Sequence, residues 1–460
     1  MADTLTLATP RTHAGHPGTG TAAIFGLGTS LSAYPTGGVT LYHVTVLVLL
    51  PALLPMLRGL RAARWLFGLL ALWIFAISFT AALVGETPKH IVFETARPVA
   101  LGLSFIGAVC IFRQGPRVSR VFLASFITGL CIAGLLYHSA AFALDPWKYE
   151  FGPVVSLGAV LISAALLSRR TGTNRVVALI PAVAVALVSL LLGFRSEFLV
   201  VTVALALTLL CGRGGDARWW RVFFAGACLV IMAMTLYNGY GTLAENGALG
   251  RDQQVRWLAQ ADRKGGVIMG ARGEFVGSIG LVAESPLWGR GVSPKVDAST
   301  RNAFLKRLQD LGTPVDDAMV QYYFGRGLYL HSVLFQLWVE IGPLAVPGVL
   351  LPIVFVMAAG VAAVRRGSAP HVVVFCFLSA QFLWDLLFSP WPRLYGTYLG
   401  TAGGAAVLYL MALREDRGNR ELAHGHGGAD AGPTARSPLR VPGFPCPSGG
   451  GPGDRDRHHA

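Results

Sequence analysis

Apolar stretches close to twenty residues long recur along the chain, separated by short polar connections that carry arginines. A hydrocarbon core of about 30 Å asks this length of a helix. Leu, Val and Ala dominate the stretches, with frequent Gly. That composition favours helices over a transmembrane barrel, whose strands alternate over about ten residues. The pattern predicts an all-α, polytopic integral membrane protein with about twelve transmembrane helices. They are placed at 21–35, 39–57, 65–84, 91–112, 119–137, 151–168, 175–193, 197–212, 219–237, 332–364, 369–388 and 393–413. The first is interrupted by Gly. The tenth is long because Glu340, Gly342 and Pro343 fall inside it, so a short helix is expected ahead of the true crossing.

The connections set an orientation. Arg58, Arg61 and Arg64 follow the second span, Arg113, Arg117 and Arg120 the fourth, and Arg169, Arg170 and Arg175 the sixth. Arg213, Arg218 and Arg221 follow the eighth, and Arg365 with Arg366 the tenth. Every second loop is basic, so the positive-inside rule places both termini in the cytoplasm and the Gly239–Leu330 segment outside. The expected layout is a cytoplasmic tail over 1–20, spans one to nine over 21–238, a large extracytoplasmic loop over 239–330, spans ten to twelve over 331–413 and a disordered cytoplasmic tail over 414–460.

Composition changes the picture only by exclusion. Hydrophobic residues make up 53% of the chain and charged residues 13%, about half the charged share of a soluble domain; mean hydropathy is +0.55. The net charge of +14 sits in the short arginine clusters between spans, so no nucleic-acid partner is inferred. Residues 1–20 show no basic region running directly into an apolar one, and no cleaved signal peptide is read there. The six cysteines form no CxxC, and none lies in the large loop. No disulfide framework is suggested there. HExxH, GxxxxGK[ST] and G-x-S-x-G are absent, and with them the usual signals of zinc proteolysis, nucleotide hydrolysis and serine hydrolase chemistry. His424, His426, His458 and His459 lie in a Gly- and Pro-rich tail without metal-ligand spacing. No metal and no cofactor are expected.

The large loop is too long to be a linker without structure. A polar helix is expected over Gln253–Asp262, and a second over Arg272–Glu284, where Phe275, Ile279 and Val282 form a stripe at helical spacing. A Gly-rich turn, Leu287 to Gly291, follows, then a third helix over Thr300–Leu311. Gln321–Leu330 carries Tyr and Phe residues suited to a headgroup layer. The economical picture is a half-embedded cap over a lipid-facing cavity.

These residues carry a resemblance. Gly270-Ala-Arg272-Gly-Glu, then Ala283-Glu-Ser-Pro286-Leu-Trp-Gly289-Arg-Gly291, then His331 followed by Glu340-Ile-Gly342, resemble the signature of the O-antigen ligase and O-antigen polymerase superfamily. Its members carry a loop arginine, a Pro-x-x-Gly-x-Gly turn and a histidine nine residues before Glu-x-Gly. They also have an arginine in a short outward hairpin, matched in place by Arg195. The hairpin here reads Phe-Arg-Ser where Ser-Arg-Gly is more usual, and Pro343-Leu-Ala-Val follows where a further glycine is common. The motifs lie within 190–345, while the topology agrees over roughly 20–413.

The resemblance implies a GT-C-like fold and glycosyl transfer on the outer face of the bacterial inner membrane, with the large loop periplasmic. The donor would be a glycan on undecaprenyl diphosphate. The acceptor would be lipid A-core or another surface acceptor for a ligase, or a second lipid-linked glycan for a polymerase. The His331-to-Gly342 segment is closer to the ligase branch. Membrane lipids are the remaining partners. Because diphosphate leaves readily, no metal is called for.

Residue chemistry agrees with this. Arginine forks clamp paired phosphate oxygens where negative charge grows on the leaving oxygen. Arg195 and Arg272 are therefore the expected donor-diphosphate ligands; their plainer alternatives are an interfacial anchor and a surface pair with Glu274. Histidine has an ordinary pKa near 6.5, suited to deprotonating an acceptor hydroxyl, so His331 is the expected catalytic base. Arg290, Arg326, Glu340 and Asp385 are additional possibilities. Arg290 and Arg326 read more simply as solvated loop arginines, and Glu340 as a residue that braces a helix. Glu94 and Arg97, three apart, suit mutual neutralisation on one helix face. Asp385 is costly to bury and has Arg393 as a candidate partner. The rival class is a transporter or flippase of a lipid-linked or anionic substrate, since twelve spans with inside termini is a common carrier layout. Two matched discontinuous helices would favour it, and only Glu340–Pro343 suggests one.

Overall fold

The computed structural model describes residues 18–34, 38–137, 145–169, 174–211, 238–261, 273–291, 296–325, 328–391 and 394–426, with a few isolated positions between them. Arg272, Arg326, Arg393, nearly all of the expected ninth span and the chain beyond 426 lie outside the described residues. Apart from one small hairpin, the described regular structure is helical.

The chain enters through α1 (Thr19–Leu27), whose nine residues rise only about 14 Å. The helix therefore ends well short of position 35, where the first crossing was expected to finish. The hydroxyls of Thr29 and Ser30 bond back to the carbonyls of Gly26 and Leu27, a local alternative to helix continuation. The chain then turns into β1 (Ser32–Tyr34), paired antiparallel with β2 (Val39–Thr40). Next come α2 (Leu41–Leu53), α3 (Arg61–Val84), α4 (Pro88–Phe112), α5 (Pro116–Leu136), α6 (Gly152–Leu167), α7 (Arg175–Leu191) and α8 (Arg195–Leu210). After these stand α9 (Arg251–Ala261), α10 (Gly273–Glu284), α11 (Ala298–Asp310) and α12 (Asp317–Phe324). The chain continues with α13 (Val333–Ile341), α14 (Val346–Arg366), α15 (Ala369–Phe388) and α16 (Tyr395–His426). Among the described residues, six helices are long and apolar enough to cross a membrane: α3, α4, α5, α14 with the short turn before it, α15 and the start of α16. Residues up to Leu413 form one compact unit, and Arg414 onward count as another.

Why α4 sits centrally is visible in its sequence. From Ala100 to Phe112 every position is buried, as expected of a helix apolar on all sides. Small residues allow the closest approach: a Cβ at Gly400 of α16 would stand 2.3 Å from the Leu101 carbonyl. Elsewhere apolar side chains such as Leu47, Val48, Trp65, Phe75 and Leu191 point outward from their helices. Lipid-facing surfaces look like this, whereas a soluble protein rarely exposes so many.

Several arginines tie neighbouring helices together by donating to backbone carbonyls. Arg113 bonds the Met56 carbonyl, Arg175 that of Cys211 at 2.6 Å, and Arg366 that of Leu413 at 3.0 Å. The Cys211 thiol also reaches the Val364 carbonyl. The ends of α8 and α14 therefore lie together, and the start of α8 falls beside the end of α15, the helix it packs against.

The loop between α8 and α13 makes a small core of its own. Leu281, Phe304, Leu308, Tyr323, Leu328 and Leu330 pack with Phe335 and Val339 of α13. Helices α10 and α11 lie where the periodicity puts them, within two residues at each end. Asp297 caps α11; the Ser299 hydroxyl, then the Thr300 backbone N–H, hold its carboxyl below the usual carboxylate range. Helix α12 was not expected from the sequence; Asp316 caps it by accepting from the Met319 N–H.

Candidate functional site

The expected tenth span is broken in two. Helix α13 ends at Gly342, whose φ of +102° is a backbone state that disfavours any other residue. Pro343 then starts a fresh turn into α14. Helix α13 is thus a short element set between the loop's core and the bundle, and His331, the Pro286–Gly291 turn and Glu340 meet on it.

At its start stands His331, half-buried. The next residue, Ser332, caps α13 by accepting from the Phe335 N–H and donates its own hydroxyl proton to the Leu386 carbonyl at 2.9 Å. The residue before, Leu330, gives its N–H to Gln336 Oε1 at 2.6 Å, while Gln336 Nε2 donates to the Leu328 carbonyl at 3.0 Å. The backbone on both sides of His331 is thereby fixed to α13 and α15. Its ring stacks on Tyr322 with centroids 5.2 Å apart, and Nε2 lies 2.7 Å from the Tyr322 hydroxyl. Tyr329 and Tyr323 meet the same ring edge-on. Tyr322 and Tyr329 are 40% and 42% exposed, so the histidine opens into an aromatic, accessible mouth.

At its end, α13 is capped by the glycine turn. The backbone N–H groups of Arg290 and Gly291 donate to the carbonyls of Val339 and Glu340 at 2.7 and 2.9 Å. Thr80 of α3 donates to the Ile341 carbonyl, and Trp338 Nε1 to that of Pro286. A Cβ at Gly289 would lie 2.2 Å from the Glu340 carbonyl oxygen. The Pro286–Gly291 motif is thus a backbone clasp on a helix end. The Arg290 side chain pairs with Glu284 at 2.9 Å and is engaged within the loop.

Glu340 is buried and engaged by side chains other than His331. Its carboxylate meets Arg97 Nη1 at 2.7 Å, and the same nitrogen stands 2.6 Å from Glu94. Gln336 donates to its other oxygen. Glu94 and Arg97 do neutralise each other on one face, and Glu340 joins them from across the bundle. Asp385 is buried and accepts from Gln381 Nε2 at 3.1 Å.

Arg195 opens α8, at the bundle end where α15 finishes and His331 stands. Its guanidinium donates to Gln260 and Gln253 of α9 at 3.2 and 3.3 Å and lies over Tyr240, 4.5 Å from the ring centroid. Arginine over an aromatic face between two amides is held in a fixed orientation. Sequence reading did not single out Tyr322, Gln336 or Glu197. Gln336 and Glu197 each had a signal, a polar side chain inside an apolar helix. Tyr322 had none beyond its place in an aromatic run. Among the described residues no group of three His, Cys, Asp or Glu is placed to hold a metal ion. No protein-family model and no curated protein matches the chain.

Proposed function

We propose that this chain is a membrane-embedded glycosyltransferase of the O-antigen ligase type, moving a glycan from undecaprenyl diphosphate to lipid A-core or another surface acceptor. The observation that carries the reading is His331. It is a titratable group locked in place where a folded cap meets the bundle, open to an aromatic mouth, at the same bundle end as Arg195. In this reading the cap is periplasmic, both termini are cytoplasmic, and the crossings number about twelve.

The chemistry follows from the roles. The acceptor hydroxyl gives its proton to His331 as its oxygen attacks the anomeric carbon, and the bond to the diphosphate oxygen breaks. Arg195, with Arg272 as its expected partner, stabilises the charge gathering on that leaving group. Tyr322 and Tyr329 present flat faces on which a sugar ring can rest. Glu340 and Arg290, already engaged, shape the scaffold that holds α13. Asp385 takes no part in the transfer.

Purified protein given a lipid diphosphate glycan tests this directly. A single addition to lipid A-core supports the ligase, and a ladder of lengthening lipid-linked chains would make it a polymerase. The helix break at Gly342 is one of the two matched breaks that a second reading, a carrier of lipid-linked anionic substrate, would require. Movement of labelled donor across proteoliposomes without any product would support that reading instead.

A further inference from the structure

Below the His331 junction, α6, α8, α15 and α16 contribute polar side chains that the proposed transfer does not use. Glu197 on α8 is 1% exposed, and neither of its carboxylate oxygens has a hydrogen-bond partner. Ser156 of α6 stands beside it, its hydroxyl outside hydrogen-bonding geometry. The Asp385 carboxylate of α15 lies within electrostatic range. Gln381 donates its amide to Asp385 and leaves its own Oε1 unsatisfied. The hydroxyls of Tyr395 and Tyr398 on α16 are unsatisfied too, and both feel the Asp385 charge. Tyr395 is 1% exposed. Among the described residues, no Lys, Arg or His pairs with either carboxylate.

Buried polar groups are rarely left unsatisfied, and each such group calls for an explanation. Water between these groups would complete their hydrogen bonds but leave two carboxylates with no cation beside them among the described residues, in an apolar interior where that is costly. Protonation would remove the charge and let each carboxyl donate to a neighbour. Yet Oε1 of Gln381 and the hydroxyls of Tyr395 and Tyr398 would still be left without partners. A cation among them meets both demands.

We propose that Glu197 and Asp385, with the hydroxyls of Tyr395 and Tyr398 and Oε1 of Gln381, bind a hard cation of the alkali or alkaline-earth class. The donor set is all oxygen, without thiolate or imidazole, which suits ions of that class and not zinc or copper. The ion would join α8, α15 and α16 directly beside the Ser332–Leu386 bond, stiffening the floor under His331 without entering the reaction. The site stands whether or not the chain transfers glycans.

The test uses full-length protein in detergent, stripped with EDTA and held in choline chloride. Its unfolding midpoint is followed as sodium, potassium, calcium or magnesium chloride is added at matched ionic strength. A ligand that binds only the folded state raises the midpoint in proportion to the logarithm of its concentration above Kd. One of the four salts is expected to do so and thereby names the ion. Glu197→Gln and Asp385→Asn should abolish the response, and calorimetric titration with that salt should give heat in the wild type only. Equal midpoints in all salts for the wild type overturn the site, whatever the variants do. An undiminished response in both variants overturns it as well.

Discussion

Arg97 and Glu340, 243 residues apart in the chain, meet at 2.7 Å, and the Arg97 nitrogen that makes this contact also stands 2.6 Å from Glu94. One guanidinium serves two buried carboxylates, with the Trp391 ring 5.4 Å away on one face. The contact fastens α13, and so the position of His331, to the central helix α4.

The arrangement is asymmetric, and so are its expected mutants. Arg97→Met leaves two buried carboxylates unpaired and should destabilise the protein by about 3–5 kcal/mol. Glu340→Gln leaves the Arg97–Glu94 pair intact and should cost only the lost charged hydrogen bond, about 1.5–3 kcal/mol. Unfolding in detergent, followed for both variants, checks the ranking. Equal losses would mean that the guanidinium is not shared.

Gly289→Ala should detach the glycine turn from the end of α13. The added Cβ meets backbone atoms of Glu340 and Ile341 at 2.2 and 2.4 Å, and no flexible side chain is there to yield. Gly68→Ala in α3, with nothing within 4 Å of the new atom, is the matched control and should cost no stability. Limited proteolysis of the loop reports the difference: faster cleavage is expected for Gly289→Ala alone, and identical patterns would refute the clasp.

Much of this architecture was legible in the sequence because its cause is local. Span length and amphipathic stripes mark helices wherever they occur, and Gly342-Pro343 marks the break between α13 and α14. The early end of α1 was not legible, since it depends on two hydroxyls turning back onto Gly26 and Leu27. The site was half legible. His331 and Arg195 stand out by type and place, and Glu340 reads as a helix brace, but what it braces against does not show. Its partner Arg97 lies 243 residues away, and nothing in either local pattern points to the other. The Gly-rich turn hid its role for a related reason: its work is done by backbone N–H groups.

The sidedness of the cap has its own test. Gln309 is exposed near the end of α11. In a cysteine-free background, Gln309→Cys should react with an impermeant maleimide on intact spheroplasts. Labelling only after permeabilisation would put the cap in the cytoplasm and remove the donor from its reach.

Arg195→Ala should lose most transfer, with Arg195→Lys recovering a part of it because an ammonium cannot reproduce the planar fork. The effect is expected in donor affinity. If the alanine variant instead binds donor normally and only frees α9 to proteolysis, the tie to Gln253 and Gln260 is the whole role of Arg195.

His331 is the centre of the account, and one measurement bears on it most directly: single-turnover transfer from lipid diphosphate glycan, alongside donor binding, for His331→Ala and Tyr322→Phe. His331→Ala is expected to slow transfer by about 10²–10⁴-fold, the usual worth of positioned proton transfer, with donor affinity unchanged. Tyr322→Phe keeps the stacked ring, loses one hydrogen bond and should slow transfer by roughly 2- to 10-fold. Undiminished transfer by His331→Ala, or a loss of donor affinity matching its loss of rate, would contradict a base at this position.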